Sequence, residues 1–237
     1  MIFDQSESDV RCEWGEHGVK MLAPASDVII IVDVLSFSTA VEIATSQGAT
    51  VFPYRWKDET AHAYAASVGA EVADKKNRNN RSLSPSSLLN LPAGVRLVLP
   101  SPNGSTLSLL ADETPVLLGC LRNCEAVARS AMKMGSRVTV IPAGERWEDA
   151  SLRPCFEDLV GAGAIIKFLR GSLSPEALIA RAAFESARAQ LYEHLRSCSS
   201  GKEKVARNEE SDVKLASELN ASSCVPILSA GAFTREI

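Results

Sequence analysis

The sequence predicts an α/β fold: a three-layer α/β/α sandwich around a central sheet that is largely parallel or mixed. Three observations carry this expectation. Six short β-rich apolar runs are interleaved with segments of helical period, the alternation that builds a sheet covered by helices on both faces. The strongest run, VIIIV at 28–32, is continuously apolar, as a strand buried on both faces should be. Four of the runs end in a short turn of small, polar or charged residues that leads toward a helix.

The strands expected in chain order are 27–33, 49–53, 95–100, 115–119, 137–142 and 225–228. The first helix is expected at 37–47, where Phe37, Ala40, Val41 and Ala44 fall at i, i+3, i+4 and i+7 on one face. Thr39 and Glu42 have the spacing of a capping box, and Gly48 stands where a helix stops. Further helices are expected at 58–68, 105–111, 123–134 (capped by Asn123 and stopped by Gly135), 155–170, 175–197 and 202–219. The polar stretch 73–87 reads as a surface loop or an active-site flap. Helical sequence from 175 to 219 suggests a cap over one edge of the sheet. With no repeat or clear linker, 1–237 is expected to form a single domain. The alternative is two lobes, with the C-terminal helical part from about 171 to 237 packed on the sheet.

Of the 237 residues, 46% are hydrophobic and 23% charged, enough apolar material for one sizeable core. Lys plus Arg total 25 against 29 Asp plus Glu, and no basic cluster marks a nucleic-acid surface. The N-terminus lacks a signal-peptide pattern, and no apolar run approaches the roughly 20 residues that span a bilayer, so a cytoplasmic location is expected. Six scattered cysteines do not form a disulfide or zinc pattern. A closed two-fold homodimer is expected from the general behaviour of small metabolic enzymes.

The chemistry is expected at the four polar turns, 33–39, 100–106, 119–123 and 142–149, because ligands bind outside the carboxyl ends of parallel strands. In PNGST, Gly104 allows close backbone approach, while Asn103 and Ser105 offer polar groups to a phosphate at a helix start. The same segment is also an ordinary turn with a helix cap. Ser38 and Thr39 either meet the ligand or simply start a helix. Arg122 and Arg146 supply guanidinium forks suited to oxyanions. Asp33, after five β-branched residues, must be paired, cap a turn, or hold a cation such as Mg2+. Glu157 and Asp158 open a second apolar helix, where acids also favour the dipole; residues that are neighbours in a helix point about 100° apart, so one ion is faced by one of them, and Asp158 is preferred. The three histidines lie outside the four turns, leaving no base for a Ser-His-Asp or Cys-His triad. Cys155 at a helix start is either a small core residue or a thiol with a lowered pKa that acts as a nucleophile.

Together, VIIIVDVLSFSTAVEIA, LVLPSPNGSTL, LLGCLRN, VTVIPAGERW and FEDLVGAGAII, in this order, resemble the 2-phosphosulfolactate phosphatase (ComB-like) family. The resemblance spans about residues 25–170 well and the rest weakly. It implies a three-layer α/β/α fold and a Mg2+-dependent phosphatase acting on 2-phospho-3-sulfolactate in coenzyme M biosynthesis. By position it implies site roles for Asp33, Asn103, Gly104, Ser105, Gly144, Glu145, Arg146, Glu157 and Asp158. In the family pattern an arginine follows D-V-L, whereas this chain has Ser36. The expected function is therefore a Mg2+-dependent phosphomonoester hydrolase for a small anionic 2-phospho acid. Asp33 and Asp158 serve as catalytic and metal residues with Glu157 as a further ligand, and Asn103, Gly104, Ser105, Arg122, Glu145, Arg146, Ser38 and Thr39 contact the substrate. A non-catalytic binding protein for a phosphorylated or sulfonated metabolite is the alternative, and a hydrolase using Cys155 is a third.

Overall fold

A computed structural model describes residues 2–74 and 81–236. The chain runs β1 (Val10–Cys12), α1 (Gly15–Leu22), β2 (Val28–Val32), α2 (Phe37–Ser46), β3 (Thr50–Tyr54), α3 (Thr60–Ser67), β4 (Glu71–Val72), β5 (Arg96–Pro100), α4 (Gly104–Ser108), β6 (Val116–Gly119), α5 (Cys124–Met134) and β7 (Val138–Pro142). A small hairpin, β8 (Glu145–Arg146) and β9 (Leu152–Arg153), follows. Then come α6 (Phe156–Ile166), α7 (Pro175–Ala187), α8 (Leu191–Ser197), α9 (Ser199–Ala206), α10 (Glu210–Ala216), β10 (Pro226–Ser229) and β11 (Ala232–Arg235).

The architecture is α/β with a mixed sheet of nine strands, in the order β1-β7-β2-β6-β10-β11-β3-β5-β4. The apolar run 28–32 is its central strand, wholly buried, and the two faces separate by pleat. Val28, Ile30 and Val32 join the core beneath α5, α6 and α7. Ile29 and Ile31 join the opposite core beneath α1, α2 and α4. This two-sided burial explains why the strand does not alternate polar and apolar residues.

Two parallel groups, β1-β7-β2-β6 and β3-β5-β4, are joined through the β10–β11 hairpin. Its three antiparallel pairings reverse the second group relative to the first. Strand twist of about 20–25° per step accumulates to roughly 80–100° over the four steps from β2 to β3. The carboxyl end of β5 thereby swings round toward that of β2.

Several elements differ from the sequence expectation. Helix α2 begins at Phe37, so Thr39 lies within its first turn and donates to the Val34 carbonyl at 2.8 Å. Glu42 is consequently not a capping partner; it points instead to Arg122. The expected helix 175–197 is broken by a 3-10 turn at Arg188–Gln190, and the expected helix 202–219 breaks near Asn208, whose φ is +59°. β1, α1, β4, β8, β9 and β11 lacked a legible periodicity because most are two to four residues long. Within the polar stretch 73–87, residues 75–80 lie outside the described residues. No helix among the described residues is long and apolar enough to cross a membrane.

Candidate active site

Asp33 leaves the end of β2 with its side chain 6% exposed. One carboxylate oxygen, Oδ1, accepts the Phe37 N–H at 3.1 Å and the other accepts the Gly104 N–H at 3.0 Å. Gly104 is required there: a Cβ would lie 2.3 Å from the Phe37 ring and 2.8 Å from Asp33 Oδ2. Ser38 shapes the same turn, since its Oγ accepts the Asp33 N–H at 3.0 Å and donates to the Ile31 carbonyl at 3.3 Å.

Asp158, 4% exposed in the first turn of α6, is a second stitch. Its oxygens accept the N–H groups of Val34 and Gly144, both at 2.8 Å. Two buried carboxylates thus draw together the turns after β2, β5 and β7. Asn103, before α4, donates to Glu145 Oε2 at 2.7 Å and closes the same circle. Glu157 is buried on a different side of α6 and accepts the Cys198 thiol at 3.2 Å, as the angular offset of adjacent helical residues requires.

The cluster is electrostatically strained. Burial, and next the Glu145 charge, push the Asp33 carboxyl up to about 7 against its two N–H bonds. Burial, then Glu157 and Asp33, hold Asp158 well above the usual carboxylate range. Burial also raises Glu145, opposed by its Asn103 bond and by Arg153. Each aspartate uses one lone pair per oxygen on a backbone N–H and so keeps free acceptor capacity. The Ser36 hydroxyl, in the same turn, is buried without a hydrogen-bond partner.

The other expected contacts divide. Ser38, Thr39 and Ser105 give their protons to backbone carbonyls, Ser105 to Leu99 at 3.1 Å, so these hydroxyls brace the turns and have no proton left for a phosphate. Arg122 is directed to Glu42 at 2.7 Å and to Glu218, and no hydrogen bond or ion pair links it to the aspartates among the described residues. The turn after β6 therefore stands apart from the other three. Arg146 pairs with Glu16 and donates to the Ala150 carbonyl. Cys155 carries a thiol raised, not lowered, by burial and the nearby acids, which removes the basis for a nucleophilic thiolate.

Two cavities flank the cluster. One, about 550 Å3, is lined by His17, Asn103, Glu145 and Arg146. The other, about 370 Å3, is lined by Arg153, Phe156, Glu157 and His194. Sequence reasoning missed His17, Arg153 and His194 because none sits in a turn after a strand of the main sheet. Helix α1, the β8–β9 hairpin and α8 bring them to the two cavities.

A family model described as 2-phosphosulpholactate phosphatase matches residues 18–231. The chain belongs to this family. The match runs from within α1 through β10, so all the stitching residues of the 2-phosphosulpholactate phosphatase fold lie inside it. A Gloeobacter violaceus protein named "Probable 2-phosphosulfolactate phosphatase" is 28% identical over 211 residues, covering 84% of this chain and 87% of the relative. The 2-phosphosulfolactate phosphatase of Methanothermobacter thermautotrophicus is 31% identical over 154 residues, covering 62% and 63%.

Proposed function

We propose that this chain is a Mg2+-dependent phosphatase that releases phosphate from a small anionic 2-phospho acid of the 2-phosphosulfolactate type. The observation that carries the reading is the convergence of Asp33 and Asp158, two buried carboxylates with acceptor capacity to spare, inside a cluster that also includes Glu145 and Glu157. Family membership and the names of both relatives support phosphatase chemistry.

Among the described residues no group of three or more His, Cys, Asp or Glu side chains is arranged to hold a metal ion. Mg2+ asks for less, since it commonly takes one or two carboxylates and fills its remaining positions with water and phosphate oxygens. Asp33 and Asp158 fit that demand, and uncompensated negative charge around them favours a cation. When bound, the ion supplies neutralisation of charge on the transferring phosphoryl group. The chain's own groups do the rest. The Phe37, Gly104, Val34 and Gly144 N–H groups fix both aspartates before substrate arrives, so little reorganisation is needed. Asn103 orients Glu145 toward the larger cavity, where a carboxyl raised by burial is suited to hand a proton to the departing hydroxyl oxygen.

The test is phosphate release from 2-phosphosulfolactate, 2-phospholactate and unrelated esters, with Mg2+ or with chelator, in wild type and Asp33→Asn. Release with Mg2+ that chelator abolishes and Asp33→Asn lowers by about three orders of magnitude is expected. Release indifferent to both would overturn the assignment, and no release from any ester would favour a binding protein.

A further inference from the structure

We infer that Arg153 grips the anionic end of the substrate that is not transferred, a carboxylate or sulfonate, within the cavity between the starts of α6 and α9. The inference rests on the phosphatase reading above and adds to it the residue that selects the acid.

Three observations lead here. First, the guanidinium of Arg153 is nearly uncommitted. Among the described residues its one hydrogen bond is a long contact to Ser200 Oγ at 3.5 Å, and it stands 5.7 Å from the Trp147 ring centroid. Five N–H donors in a planar fork, half-buried and with no carboxylate in hydrogen-bond contact among the described residues, suit an oxyanion, while their charge also acts on Glu145 across the hairpin. The two arginines expected from sequence to meet the substrate are both held by acids, Arg122 by Glu42 and Glu218, and Arg146 by Glu16.

Second, Arg153 lines a cavity of about 370 Å3 that shares Glu157 with the acidic cluster. Glu157 precedes Asp158 directly, and its charge is felt at Asp33. A ligand in that cavity therefore lies against Glu157, one residue along α6 from Asp158, and a small 2-phospho acid spans only a short distance between its phosphate and its second anion.

Third, two helix starts face the cavity and oppose the charge of Glu157, which also lines it. Its walls carry the residues that open α6 and α9, at Phe156 and Ser199, where helix dipoles present their positive ends. His194 lines it too, with its ring 6.0 Å from that of Phe156.

Steady-state kinetics with 2-phospholactate and with isopropyl phosphate, which lacks the acid but keeps the secondary ester, test the inference in wild type, Arg153→Ala and Arg153→Lys. Arg153→Ala is expected to raise KM for 2-phospholactate at least tenfold, with kcat changed less and kcat/KM for isopropyl phosphate within about twofold. Arg153→Lys should recover part of the loss. A similar decline on both esters, or no change on the acid, would overturn it. Calorimetric binding of 2-phospholactate to the same proteins separates this result from failure of the phosphatase reading. If wild type binds but does not turn over, a tenfold weaker affinity in Arg153→Ala upholds the anion grip while the phosphatase reading falls. If wild type binds no acid, the grip is refuted as well. Melting midpoints of the variants within a few degrees of wild type confirm that folding is not what changed.

Discussion

At the scale of single residues, the site is built by carboxylates that replace missing secondary-structure bonds. Asp33 and Asp158 accept four backbone N–H groups from turns that no strand ladder can satisfy. Asp158→Asn should then cost both structure and activity: one acceptor oxygen becomes an NH2 facing a backbone N–H, leaving a buried donor unpaired at about 1–3 kcal/mol. Chemical denaturation with a constant m-value would register it. Glu145→Gln keeps the amide-compatible size but not the proton, so a fall of roughly 10²–10⁴ in kcat with little change in melting temperature is expected. The place of Asp33 was legible because an apolar run stopping at a carboxylate is costly unless that carboxylate is bonded, as the Phe37 and Gly104 N–H groups bond it. Arg153 was not legible. It lies in a two-residue strand of mixed character, and that no acid is in hydrogen-bond contact with it among the described residues gains meaning only once the ion pairs of Arg122 and Arg146 are known.

At the scale of elements, contact between helices and turns decides which side chains reach the site. Helix α6 carries Asp158, and α7 lies so close that a Cβ on Gly163 would stand 1.9 Å from the Ala180 carbonyl oxygen. Gly163→Ala should separate the two helices and lower stability by about 1–3 kcal/mol, measurable as a lower denaturation midpoint. Arg122 ties the turn after β6 to Glu42 on α2 and to Glu218 beyond α10, with Glu42 only 1% exposed and one of its oxygens already without a partner. Removing the cation by Arg122→Ala strands a buried charge, so a loss of about 3 kcal/mol is expected. Arg122→Met with Glu42→Gln should recover part of it in a double-mutant cycle. The small residues of GAGAII in α6 permit a close approach, and the approaching partner is α7 at Gly163, together with β2 against Gly161. Strands β2, β3, β5, β6, β7 and β10 were legible from apolar runs; the helix breaks at Arg188–Gln190 and Asn208 were not, because neither Pro nor Gly marks them.

At the scale of the molecule, gathering four carboxylates makes stability depend on pH. The folded chain holds a proton on Asp33 up to about 7, whereas an unfolded aspartate releases it near 3.8. The folded state therefore binds more protons across that interval, so stability is fully present below about 4 and declines as pH rises through 7. In chelator, the melting midpoint should fall over this range; a midpoint that rises or stays flat would contradict the buried like-charge cluster. Added Mg2+ should raise the midpoint most at the upper end of the range. At one hundred times its dissociation constant, a ligand of the folded state contributes about 2.7 kcal/mol.

The sequence by itself determined the layers and the central strand, since continuous burial and helical periodicity are local properties of the chain. It also placed Asp33, Gly104 and Asp158 at the ends of the right elements, because each sits where an apolar run meets a polar turn. Tertiary structure alone decided which turns meet. A C-terminal hairpin inserted between two parallel groups reverses one of them, and accumulated twist brings the β5 turn to Asp33. The β6 turn, though it ends a neighbouring strand, is taken up by Glu42 and Glu218. Pairing between segments far apart in sequence depends on the whole sheet, and so does the tying of Arg122 and Arg146 to acids.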